Sequence, residues 1–125
     1  MNTACYQMDC KVFYSKFMRD MRADQTMYYG GDIPAFSPSM KGDTLHGGAV
    51  WADAATIIPW NVYMNYGDQA LLEENYPMMR DYVEYLREED HKAGGSHLVF
   101  HSFTFGDWLA QDGMTPQSCK GGTDD

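Results

Sequence analysis

Asp53-Ala-Ala-Thr-Ile-Ile-Pro-Trp-Asn-Val-Tyr-Met-Asn-Tyr-Gly-Asp68 is the stretch that decides the architecture. Asp53 is placed to cap a helix that runs from Ala54 to Tyr66, and Gly67 supplies its stop. Pro59 removes one backbone donor from that helix and is expected to bend it. Asp68 then caps a piece from Gln69 to Glu74, and a further helix is expected after Pro77, with Met78, Tyr82, Tyr85 and Leu86 along one side. The Tyr66-Gly67-Asp68 junction is short enough to force antiparallel neighbours. The middle of the chain is therefore a helical hairpin.

On the N-terminal side, apolar residues from Thr3 to Gln25 fall on one stripe: Tyr6, Cys10, Phe13, Phe17 and Met21. This spacing predicts one amphipathic helix with Thr3 as N-cap. Between Thr26 and Val50 periodicity gives way to Gly30-Gly31-Asp32-Ile33-Pro34, Ser37-Pro38-Ser39, Gly42 and Gly47-Gly48. A connection of about 25 residues without its own elements is usually functional or disordered, and Tyr28, Tyr29, Ile33 and Phe36 speak against disorder. On the C-terminal side Gly94-Gly95 ends the helical region. Leu98 to Phe105 reads as an extended segment entering Gly106-Asp107-Trp108, and the residues from Thr115 to Asp125 should be loose.

A chain of 125 residues is one domain at most, and 44% hydrophobic residues are enough for a core. With 9 Lys and Arg against 18 Asp and Glu, the formal charge is −9. That balance excludes nucleic acid and anionic membranes as natural partners, because both attract clustered cations. No apolar run approaches the roughly 18 residues of a membrane span, and the start, Met1-Asn-Thr-Ala-Cys-Tyr6, lacks a basic n-region followed by an apolar h-region, so the expectation is a soluble, untargeted chain. Three cysteines make no disulfide framework, and Cys5 and Cys10 would lie too far apart on a shared helix to bridge.

Two places pair an indole with a carboxylate: Trp51-Ala52-Asp53 and Asp107-Trp108. A hexose or deoxyhexose offers an apolar C–H face to an indole and hydroxyls to a carboxylate, so these pairs suit a sugar subsite. The plainer alternatives are a helix cap for Asp53 and core packing for either Trp. His46, His91, His97 and His101 match no metal-ligand spacing, so no metal or cofactor is expected. Glu73, Glu74, Glu84, Glu88 and Glu89 read as solvated helix surface. Met8, Met18, Met21, Met64, Met78 and Met79 read as gap-filling core, although a subunit contact would look the same.

Five motifs in order carry a resemblance: Tyr14-Ser-Lys-Phe-Met-Arg-Asp-Met-Arg-Ala-Asp-Gln25, Gly31-Asp-Ile-Pro34, Trp51-Ala-Asp-Ala-Ala-Thr-Ile-Ile-Pro-Trp60, Tyr66-Gly-Asp68 and Phe105-Gly-Asp-Trp-Leu109. Together they resemble the catalytic domain of bacterial α-L-rhamnosidases, six-hairpin glycosidases with an (α/α)6 barrel. The resemblance implies a mainly α chain forming part of that toroid, with residues 1–125 as a fragment of a single catalytic domain. It implies an inverting glycoside hydrolase acting on terminal α-L-rhamnose, in which one carboxylic acid protonates the leaving oxygen and a second carboxylate activates water. In the family the acid lies in a segment like Glu-Arg-Leu-Gly-Trp-Thr-Gly-Asp, upstream of a stretch like Thr3-Ala-Cys-Tyr6, and the base is a glutamate far downstream. No catalytic residue is therefore expected within this chain, and the isolated chain is expected to be inactive.

The resemblance carries over the sugar-contacting residues: Trp51 and Trp108 against the rhamnose ring and methyl, with Asp53 and Asp107 accepting hydroxyl hydrogen bonds or orienting neighbours. This chain departs from the family at Ala52, where Gly is usual. That methyl either crowds the loop or is tolerated. Other readings are a non-catalytic rhamnose-binding module and an acidic helical interaction protein that buries its Met and aromatic stripes by self-association; as a barrel fragment, the chain offers exposed barrel surfaces for self-association. The compartment is left unknown, with a periplasmic or secreted parent compatible.

Overall fold

The computed structural model describes residues 2–40, 42–48, 50–95, 107–108 and 120–121. Among them the chain is mainly helical: α1 (Asn2–Gln7), α2 (Lys11–Met27), α3 (Ala54–Tyr66) and α4 (Gln69–Lys92), followed by β1 (Asp107–Trp108) and β2 (Lys120–Gly121). The two strands pair antiparallel, Asp107 opposite Gly121 and Trp108 opposite Lys120. The segment from Leu98 to Phe105 and, apart from β2, the tail from Thr115 lie outside the described residues.

The hairpin forms where the sequence places it. Gly67 takes φ 65°, a left-handed conformation, and its N–H donates to the Tyr63 carbonyl at 2.7 Å. The Asp68 carboxylate accepts from the Leu71 N–H at 3.0 Å, capping α4. At the far end Gly94 and Gly95 adopt positive φ, and the Gly95 N–H returns to the Asp90 carbonyl at 2.8 Å.

Pro77 does not divide the second arm as expected: α4 is one helix of 24 residues. An interior proline costs about 3 kcal/mol. Leu71, Asn75, Met78 and Tyr82 recur at steps of four, three and four and are all buried. Full burial of a large apolar side chain contributes about 1.5–3 kcal/mol, so three such residues outweigh the proline. In α3, Ala55, Pro59 and Val62 are buried while Ile57, Trp60 and Met64 are exposed, so this helix is apolar on both sides.

The single N-terminal helix expected from Thr3 to Gln25 is instead two. α1 already includes Asn2, which places Thr3 inside the helix rather than at its cap. The break falls at residues 8–10. There the Asp9 carboxylate accepts from the Lys11 N–H at 3.0 Å, and the Tyr66 hydroxyl, from the end of α3, accepts from the Cys10 N–H at 2.8 Å. Both donors thereby find partners outside a continuous helix ladder. The stripe rotates accordingly: Tyr6 and Phe13 are exposed, while Tyr14, Phe17, Met18, Met21 and Gln25 face inward. Cys5 and Cys10 are unbridged although they do not share a helix.

The core joins Met18 and Met21 of α2, Ala55 and Val62 of α3, and Leu71, Met78 and Tyr82 of α4 to Ile33 and Ala52 of the long connection. Three of the methionines read as core are therefore there, whereas Met8 and Met64 are exposed. The Ala52 methyl is tolerated because residue 47 opposite is glycine: a side chain there would stand 3.2 Å from Ala52 Cβ and 3.1 Å from two carbonyl oxygens. The helix carboxylates are surface groups, as expected, and Glu74 is gripped by Arg19 at 2.7 and 3.1 Å across to α2.

Candidate functional site

The connection between α2 and α3 is ordered by buried polar groups. At the end of α2, Asp24 accepts from the Ser37 hydroxyl (2.8 Å), the Ser39 N–H (2.9 Å) and the Ser39 hydroxyl (2.9 Å). Gln25, fully buried, donates to the carbonyls of Gly31 (2.7 Å) and Met78 (3.1 Å) and accepts from Arg22, which also holds Asp81 of α4 at 2.7 Å. Gly31 takes φ 109° and approaches α4 closely, since a Cβ there would stand 3.3 Å from Tyr85 Cβ.

Two limbs of this connection close on each other. The Ala35 N–H donates to the Leu45 carbonyl at 2.9 Å, the Gly47 N–H donates to the Ile33 carbonyl at 2.8 Å, and Pro34 bridges His46. Between them lies Asp32, 4% exposed, whose carboxylate accepts from the Ile33 N–H at 2.7 Å and meets His46 Nδ1 at 2.6 Å. Tyr29 sets its ring edge-on to His46, centroids 5.3 Å apart. Burial, and then the Asp32 carboxylate, push the Tyr85 hydroxyl up to about 12.

Trp51 sits on the turn that leaves these limbs and enters α3, and it is half-exposed. The turn is closed by the Ala52 N–H donating to the Gly48 carbonyl at 2.9 Å. Immediately before Trp51, Val50 has φ 71°, a left-handed conformation that a β-branched residue adopts at a cost of about 1–3 kcal/mol. Asp53 is not the side-chain cap expected. Its backbone carbonyl receives the first helical N–H groups, from Thr56 and Ile57, while its carboxylate accepts from the Tyr82 hydroxyl at 3.2 Å. Burial and the facing Asp53 charge raise the Tyr82 hydroxyl well above the ordinary tyrosine range.

Of the four residues singled out in the sequence, Trp51 and Asp53 thus share one supported turn. Asp107 and Trp108 form β1, and their side chains lie outside the described residues. Asp24, Gln25, Asp32, Tyr82 and Tyr85 were missed as a set, and His46 was weighed only as a metal ligand. Gln25 had a signal: it continues the Met18–Met21 face with a polar residue, and a polar group on a buried stripe needs a partner. Among the described residues no three His, Cys, Asp or Glu side chains converge as a metal cage, and no helix is long and apolar enough to cross a membrane. A cleft of about 270 Å³ opens between Gly30, Gly31 and the Asp81, Glu84, Tyr85 and Glu88 side of α4.

The bacterial alpha-L-rhamnosidase 6 hairpin glycosidase domain family matches residues 1–124. Among individual proteins, an alpha-L-rhamnosidase of Formosa agariphila is 37% identical over 110 residues, 86% of this chain and 11% of that protein. One from Alteromonas sp. (strain LOR) is 36% identical over 104 residues, 83% of this chain and 10% of its own length. A third, from Streptomyces avermitilis, is 33% identical over 115 residues, 92% of this chain and 10% of that protein. The chain spans about a tenth of the length of these relatives. No solved structure matches it at a comparable level of significance.

Proposed function

The chain belongs to the bacterial α-L-rhamnosidase six-hairpin glycosidase family, and from that membership we propose that it forms the sugar-binding part of an inverting α-L-rhamnosidase, with Trp51, Asp53, Asp107 and Trp108 contacting a terminal α-L-rhamnose. The general acid and base belong to other segments of the domain. Residues 1–125 contribute the loops, as a fragment of one catalytic domain. Family membership makes the chain a glycoside hydrolase by descent. Its own residues bind and orient.

The observation that carries this reading is the Trp51 turn: a half-exposed indole beside the Asp53 carboxylate, on a connection fastened by buried polar bonds. The indole offers an apolar face to the sugar's C–H groups and methyl. The Asp53 oxygens accept hydroxyl hydrogen bonds, with Tyr82 holding one of them in place. Because the support is assembled before the sugar arrives, little ordering cost is left to binding.

Titrating L-rhamnose while following tryptophan emission tests the reading. A saturable response is expected, weakened at least about tenfold by Trp51→Ala, a loss of about 1.4 kcal/mol. A flat response from a sample with intact helical circular dichroism removes it. The same samples should leave an aryl α-L-rhamnoside unhydrolysed, and turnover above the Trp51→Ala background would place a catalytic carboxylate within the chain.

A further inference from the structure

Three features converge just ahead of Trp51. Val50 is held at φ 71°, a conformation the isolated backbone would leave. The Gly47 backbone is pressed against Ala52, so that His46 and Trp51 each lie one residue from the same close approach. And Asp32, buried to 4% exposure, spends one oxygen on its neighbour's N–H and the other on His46 Nδ1, whose ring is itself half-exposed. A buried carboxylate is expensive unless its partners are fixed, so it belongs where the chain must be held in one arrangement.

We propose that Asp32 and His46 are positioning residues for Trp51. Their side-chain bond clamps the limbs 32–35 and 45–47 together, fixes where Gly47 meets Ala52, and so holds the strained Val50 turn that aims the indole. The two backbone bonds between the limbs set their register. The Asp32–His46 bond ties the exposed outer limb to a buried anchor. Loss of the bond lets the turn relax toward an unstrained φ at Val50, which rotates the following residue. This inference rests on the sugar-binding reading of Trp51 for its consequence, but the geometry it asserts can be measured without sugar.

The test uses the full chain and the substitutions His46→Ala, His46→Asn and Asp32→Asn, with two readouts. Acrylamide quenching in a Trp60→Phe, Trp108→Phe background reports the surroundings of Trp51 alone. L-Rhamnose affinity is measured with the other tryptophans intact. His46→Ala is expected to change the Trp51 quenching constant about twofold and weaken rhamnose binding about fivefold or more. His46→Asn should restore most of both, because an amide N–H can replace Nδ1–H toward Asp32.

Unchanged quenching and affinity in His46→Ala would overturn the proposal. So would a change that His46→Asn fails to reverse, since the imidazole's bulk rather than its bond would then be responsible. If Asp32→Asn loses the fold, the His46 pair, at a half-exposed position, still decides. A quenching change with Asn rescue in a chain that shows no rhamnose response would uphold the positioning role and remove the sugar reading.

Discussion

The α3–α4 hairpin and the connection that leads into it are held by opposite means. The hairpin is fastened by apolar burial: Val62, Leu71, Met78 and Tyr82 close on α2 with two short capped ends. The connection contributes Tyr29, Ile33 and Ala52 to the interior and otherwise depends on directional polar bonds from Asp24, Gln25 and Asp32. Area-driven contacts tolerate small displacements, whereas a hydrogen bond weakens steeply once its angle is lost. On the proposed sugar-binding reading, the part of the molecule that aims Trp51 is thus built from the geometry-sensitive interaction.

The largest blow to the hairpin should come from Met78→Ala, which empties a fully buried position. It is expected to cost about 2–5 kcal/mol in urea unfolding. It should leave the quenching of Trp51 in the surviving native state unchanged. If Trp51 moves with Met78, the two regions are not separable and the contrast fails.

Next in size is Asp24→Ala, which strands the Ser37 and Ser39 donors. Each unsatisfied buried group costs about 1–3 kcal/mol, partly recovered here because both serines can reach water. A net loss of about 2 kcal/mol is expected. Unlike Met78→Ala, it should speed amide exchange in residues 35–45 before it affects α4.

The smallest effect sharpens the comparison at the point where the regions touch. Tyr82→Phe keeps the buried ring and deletes the bond to Asp53, an expected loss of about 1 kcal/mol at neutral pH. Its signature is alkaline. The Tyr82 hydroxyl is raised above its ordinary value of 10.0 by burial and by Asp53. The unfolded chain therefore releases that proton first, and stability falls as pH climbs above about 10. Tyr85, pushed up to about 12, behaves the same way. Removing the Tyr82 hydroxyl should flatten this limb of the stability–pH curve without abolishing it.

The hairpin was legible because its determinants are local: Gly67 and Asp68 act within one turn, and the α4 stripe repeats at helical spacing. Pro77 misled for a local reason as well, since its cost is visible in the sequence and the burial that outweighs it is not. The break between α1 and α2 depends on Tyr66, 56 positions away from Cys10. Nothing near Cys10 announces it. Trp51 and Asp53 could be singled out by residue type and by family resemblance, but their supports could not. Asp24 reaches Ser37 and Ser39 across 13 and 15 positions, and Asp32 reaches His46 across 14, with no period to betray either pairing.

Gln25 has a consequence for how the molecule comes apart. One amide joins the last turns of α2, the carbonyl of Gly31 and the middle of α4, so none of the three can open without breaking bonds in the other two. Irregular segments ordinarily melt early, as subunits of their own with low opening free energy. Here the base of the connection, around Gly31, is bound into the same cooperative unit as the helices. In hydrogen exchange the boundary between slow and fast amides should therefore cut through the connection rather than fall at the end of α2.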